Sequence, residues 1–159
     1  MGSGISAIYT LNSYLGAIAV SEKEGHYFSK RDVRLDDYFD RILSRRTHEE
    51  ATYSRNMSDM ALHYEIDAKG LFGKPGRGKD VRIVESYDPM GTAMDFFEKI
   101  SDGARVNTMN NDSALYCFLD DGVRINFRPY SSSPGSPAVD IHIYSVDKIQ
   151  KIHFVLRTL

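Results

Sequence analysis

The chain has 159 residues, 42% of them hydrophobic and 26% charged, with a formal net charge of -2. That size suits one globular domain, or one domain with an N-terminal extension, and is enough to bury a core. A near-neutral balance excludes a chain-wide pull toward nucleic acid, the single cysteine (Cys117) excludes an intrachain disulfide, and no apolar run approaches the ~20 residues that cross a membrane.

The start carries no basic secretory leader. Met1 to Ser6 fits the M-G-x-x-x-[ST] pattern for acylation of Gly2, against the plainer reading of a chance match. Residues 5–20 show no clear period and Ser21 to Gly25 is a polar break, so residues 1–30 read as an extension of undefined role and 31–159 as one domain.

From Asp32 the period becomes helical. Leu35, Tyr38, Phe39, Ile42 and Leu43 form one apolar stripe. Thr47-His48-Glu49-Glu50 has the form of a capping box, so a second helix is expected to start there, with Met57, Met60, Ala61, Tyr64 and Ala68 as its stripe. His48 and His63 read as ordinary helix-face residues, since neither has a partner at metal-ligand spacing. Gly73 to Lys79 fits seven places of the phosphate loop G-x-x-x-x-G-K-[ST]. Asp80 then replaces the hydroxyl, and the strand-like Val81 to Val84 stands where a helix should open. A basic loop is the better reading, with Lys79 a candidate phosphate contact.

Asp88-Pro89 should open a third helix, buried through Met90, Ala93, Met94, Phe97 and Ile100 and ended near Gly103. Asn107 to Ser113 reads as a polar turn. Ala114 to Leu119 and Val123 to Arg128 then read as a hairpin across Asp120-Asp121-Gly122. After a serine- and proline-rich loop, 129–137, two more alternating strands contain Val139 to Ile143 and Ile152 to Phe154. Helices first and a meander afterwards predict an α+β fold, with N-terminal helices packed on a C-terminal antiparallel sheet.

Alternation defines both faces of that sheet. Val123, Ile125, Phe127, Val139, Ile141, Ile143, Ile152 and Phe154 face the core. Arg124, Asn126, Arg128, Asp140, His142, Tyr144, Lys151 and His153 share the other face. The last 37 residues carry a charge of +3, which leaves -5 for the remainder. Cations, imidazoles and a carboxylate together suit cleavage of RNA without a metal or other cofactor. A histidine takes the ribose 2′-hydroxyl proton, the oxygen attacks phosphorus, and cations hold the developing charge. His153 is the expected acid or base, Arg128 and Lys151 the phosphate ligands, and Ser132, Ser133 and Asp140 their orienting neighbours. Arg124, Asn126, Tyr130 and His142 are expected to touch substrate. Asp140 and His142 are too few for a metal centre, and no nucleophile elbow supports serine hydrolysis.

The segment D-P-M-G-T-A-M-D-F-F-E-K-I-S-D-G-A, followed by L-D-D-G-V-R-I-N-F-R-P-Y-S-S-S-P-G-S-P-A-V-D-I and K-I-H-F, resembles the C-terminal toxin domains of bacterial polymorphic toxins, of the contact-dependent and LXG types. The likeness spans Tyr87 to Phe154. It implies kinship with the barnase–EndoU–colicin–RelE group of ribonucleases, RNA of a rival cell's cytoplasm as substrate, delivery by a bacterium, and a cognate immunity protein over the active face. The positions it points to are Arg128, the serines after it, Asp140, Lys151 and His153. A different class also fits the residues: a non-catalytic module that holds RNA or an acidic protein on the basic face. An enzyme acting on another phosphodiester is a third.

Overall fold

The computed structural model describes residues 31–132 and 135–158; the acylation pattern at Gly2, the extension expected over residues 1–30 and the expected phosphate neighbour Ser133 lie outside them. The chain divides into two compact units, residues 1–41 and 42–159. Helix α1 (Arg34–Ser44) spans the division, and its buried residues are the expected Leu35, Tyr38, Phe39 and Ile42.

The larger unit is α+β. In chain order it contains α2 (Tyr53–Met60), β1 (Lys74–Pro75), β2 (Val81–Ser86), α3 (Pro89–Ile100), β3 (Val106–Met109), β4 (Ala114–Leu119), β5 (Val123–Arg128), β6 (Ala138–Ile143) and β7 (Lys148–Leu156). The seven strands form one sheet in the order β1-β2-β7-β6-β5-β4-β3. From β7 to β4 it is the antiparallel meander that alternation predicts, and β3, which that reading lacks, extends it by pairing antiparallel to β4. The expectation of a wholly antiparallel sheet fails at β2, which runs parallel to β7 with Ile83 opposite His153. β2 precedes α3 in sequence, so helices and strands are also less segregated than expected.

Helix α3 begins as its sequence dictates. The Asp88 side chain accepts from the amide of Gly91 at 3.1 Å, and Pro89 opens the first turn. Its buried stripe packs on β2, β5, β6 and β7. Phe97 stacks on Phe127 at 5.7 Å, while Phe96, absent from the expected stripe, meets Phe154 edge-on at 5.3 Å and Phe72 at 4.8 Å. Two buried polar side chains pin the segment before β1 to the same face. Arg82 Nε donates to the Phe72 carbonyl at 2.7 Å, and Gln150 Oε1 accepts the Phe72 amide at 2.9 Å.

The capping box at Thr47 does not form. Glu50 has φ +62°, a left-handed conformation that a helix cannot continue, and α2 starts after Thr52 instead. Thr52 Oγ1 accepts the Arg55 amide at 3.1 Å, and Asp121 takes the amides of Tyr53 and Ser54 at 2.8 and 3.0 Å. The helix stops at Met60, so Tyr64 and Ala68 lie beyond it. The polar turn expected over Asn107 to Ser113 is shorter as well. Asn107 and Thr108 belong to β3, and Asn110, Asn111 and Asp112 make the turn, all at positive φ. Gly103 does follow the end of α3, at φ +86°, and a Cβ there would lie 2.3 Å from the His48 ring.

Candidate functional site: the polar face of the sheet

Strand register fixes which polar side chains are neighbours. On the face opposite α3, one row across the sheet reads Tyr116, Asn126, Asp140, Lys151; the next, toward the 129–137 loop, reads Arg128, Ala138, His153, Ile83. Strands lie about 4.8 Å apart and rows about 6.8 Å, so Arg128, Asp140, Lys151 and His153 occupy adjoining positions at the centre of the sheet.

Arg128 and Asp140 form a bidentate pair, Nε to Oδ2 at 2.7 Å and Nη2 to Oδ1 at 2.8 Å. This is the strong fork geometry of a charge-assisted pair. It also qualifies the expectation that Arg128 offers its whole fork to a phosphate. Asp140 occupies two of the donors, which leaves the Nη1 side and the outward proton of Nη2.

His153 departs further from expectation. Its side of β7 was expected to face solvent, yet the residue is only 8% exposed. Ala138 and Ile83 flank it on the adjacent strands, and Ser136 lies against it, with Oγ 3.1 Å from Nδ1. Burial disfavours the imidazolium and pushes the His153 pKa below the usual histidine value. Arg128 and, less strongly, Lys151 push the same way, and Asp140 opposes them. Lys151 stays exposed, and its amide donates to the Asp80 carbonyl at 2.7 Å.

Among the described residues of the loop after β5, Ser131 and Ser136 are the serines that make hydrogen bonds. Ser131 is buried, and its Oγ donates to the Ser136 carbonyl at 2.7 Å. Ser132 is exposed and makes no hydrogen bond among the described residues. Ser136, which sequence reasoning passed over, is the serine that meets His153. Its signal was faint: in Y-S-S-S-P-G-S-P it precedes the proline that leads back into the sheet, where the chain must close over the strand ends.

The remaining expected contacts sit farther out. Arg124 Nε donates to Asn126 Oδ1 at 2.9 Å, and its guanidinium lies over Tyr116. His142 pairs with Asp147 at 3.0 Å. Tyr144 leaves the sheet in a 3-10 turn, and Tyr130 is exposed just past β5. Lys79 lies on the exposed loop between the antiparallel strands β1 and β2, beside a groove of about 550 Å³ lined by Gly78, Asp80, Val81 and Ile149. The strand-loop-helix setting of a phosphate loop is therefore absent, and Lys79 forms no hydrogen bond or ion pair with the cluster among the described residues. Cys117 is buried, its thiol pushed up to about 12, which removes it as a nucleophile. Among the described residues no three His, Cys, Asp or Glu side chains gather to hold a metal ion.

The cluster can take a proton at one neutral imidazole and offer positive charge from two cations beside it. No family model matches the chain, and no curated protein or solved structure resembles it significantly.

Proposed function

We propose that this protein is a metal-independent endoribonuclease, acting as the toxin module that its C-terminal motifs resemble. The observation that carries the reading is the placement of a desolvated, neutral His153 next to Arg128 and Lys151 on the polar face of the sheet. A histidine whose pKa lies below neutrality is unprotonated at working pH, the state a general base needs. With its proton on Nδ1, His153 donates to Ser136 Oγ and keeps its Nε2 lone pair for the ribose 2′-hydroxyl. The 2′-oxygen then attacks phosphorus, the bond to the 5′-oxygen breaks, and that oxygen takes a proton from the Lys151 ammonium or from water. The products are a 2′,3′-cyclic phosphate and a 5′-hydroxyl end. Arg128, held by Asp140, meets the charge developing on the non-bridging oxygens through its remaining donors.

Purified protein should cleave transfer RNA or total RNA in the presence of EDTA and leave cyclic phosphate ends. His153→Ala should lose the activity while its melting transition survives. Cleavage that disappears with the chelator, or persists in the His153 variant, defeats the assignment. Expression in a bacterium should stall growth, and His153→Ala or a cognate immunity protein should relieve it.

The bidentate Arg128–Asp140 pair favours a second reading, a binding module without turnover, since it ties up half of the arginine fork. That reading predicts salt-sensitive RNA retention with no new ends.

A further inference from the structure

The same face continues past the proposed cleavage cluster, toward the other ends of the strands. Its outer row reads Phe118, Arg124, His142 in direct cross-strand register. The Arg124 guanidinium lies 4.6 Å from the Tyr116 ring centre and 5.3 Å from that of Phe118, and its bond to Asn126 tethers it there. Phe118 is 52% exposed. On the far side of Arg124, the His142 ring lies against Tyr144 at 4.0 Å, and Asp147 holds its Nε2. Tyr144 is 51% exposed. Two exposed aromatic plates thus flank a planar cation on one side of the sheet. A single surface aromatic residue is unremarkable. A row of flat rings and a stacked guanidinium, leading along β5 from Arg124 to Arg128 over about 13 Å, is a surface shaped for unstacked bases whose backbone runs on to the cations.

We infer that the Phe118–Arg124–His142 row is a stacking platform that selects single-stranded RNA, seating bases a few nucleotides from the phosphate held by Arg128 and Lys151. This rests on the ribonuclease reading for the identity of the strand, and on the rings for its state. In an A-form duplex the base faces are covered by their neighbours and are closed to such plates, whereas loops and ends can splay bases onto aromatic and guanidinium surfaces.

The test uses the whole protein and a short labelled 2′-O-methyl RNA, which resists attack by its own 2′-oxygen, so that binding is read apart from cleavage. The strand should bind more tightly than its own duplex. Phe118→Ala should weaken single-strand binding about tenfold and leave duplex binding unchanged, and Phe118→Tyr should retain it. Equal affinity for strand and duplex, or an unchanged Phe118→Ala, overturns the platform, as does failure to bind any RNA while an acidic protein is retained. Unmodified RNA separates the two claims. Cleavage together with binding indifferent to Phe118 defeats the platform alone. Phe118-dependent binding without cleavage under any condition supports the platform and defeats the nuclease.

Discussion

Replacing Asp140 by asparagine keeps the side-chain shape and removes the charge opposite Arg128. The two bonds are short, 2.7 and 2.8 Å, and the side chains are 26% and 17% exposed. An exposed ion pair contributes about 0–1 kcal/mol, and stripping one partner from a buried pair costs roughly 3–5 kcal/mol. This pair lies between those limits. Asparagine still accepts from Nε, so one bond survives. The expected loss is about 2 kcal/mol, or a melting point roughly 8 °C lower for a domain of this size. Urea denaturation at pH 7 reads it as a shifted midpoint with the slope unchanged. The double change Arg128→Met with Asp140→Leu should recover to within about 1 kcal/mol of the parent, because it leaves no unpaired charge. A single-variant cost below about 0.5 kcal/mol, or a double variant no better than the single, would refute the claim that the pair is coupled and desolvated. Activity offers a second reading. Asp140 raises the His153 pKa, so its neutralisation should move the acid limb of the kcat/KM profile to lower pH, and Arg128→Met should move it the other way.

Folding stability should fall as pH drops below about 6.5, because the unfolded chain protonates His153 while burial keeps the folded one neutral. His48, raised by the Glu49 carbonyl and Asp102, contributes the opposite slope, so the comparison that isolates His153 is the parent against His153→Gln, whose acid-side decline should be shallower. Gly73 sits at φ +61° with the Ile83 carbonyl oxygen 2.2 Å from where a Cβ would stand, so Gly73→Ala should cost about 3 kcal/mol or more in a melt. Asp121→Ala uncaps α2 from outside its own segment and should cost about 1–2 kcal/mol, seen as a lower urea midpoint. Lys151→Ala, at an exposed position, should reduce RNA cleavage with the melting point nearly unchanged.

Local signals account for most of what the sequence reveals. Asp88-Pro89 fixes the start of α3 because the cap and the missing amide act within one turn of chain. Alternation sorts β5, β6 and β7 into faces because a one-residue slip would bury Arg128 and expose Phe127. Capping of α2 was not legible. Thr47 and Glu50 have the right letters, but the groups that satisfy the first amides are Thr52 and, 67 and 68 residues away, Asp121. Nor does any short-range pattern connect Ser136 with His153, 17 residues away, whose contact arises only when Ser136 comes back against β7.

The placement of β2 determines how the candidate site behaves. In a purely antiparallel meander β7 would be an edge strand, and one flank of His153 would stand beside solvent. β2 makes β7 interior. Ile83 then covers one flank of His153 while Ala138 covers the other, and neither side chain can hydrogen-bond the imidazolium. Burial beside this parallel pairing, between strands more than sixty residues apart, thus acts with Arg128 and Lys151 to favour the neutral base proposed for RNA cleavage. Substituting Ile83 by alanine opens that flank without touching Arg128, Asp140 or Lys151. The His153 pKa should then rise toward the ordinary histidine value, measurable by titrating its ring protons in NMR. An unmoved titration would mean that the neighbouring cations, and not the strand order, keep the imidazole neutral.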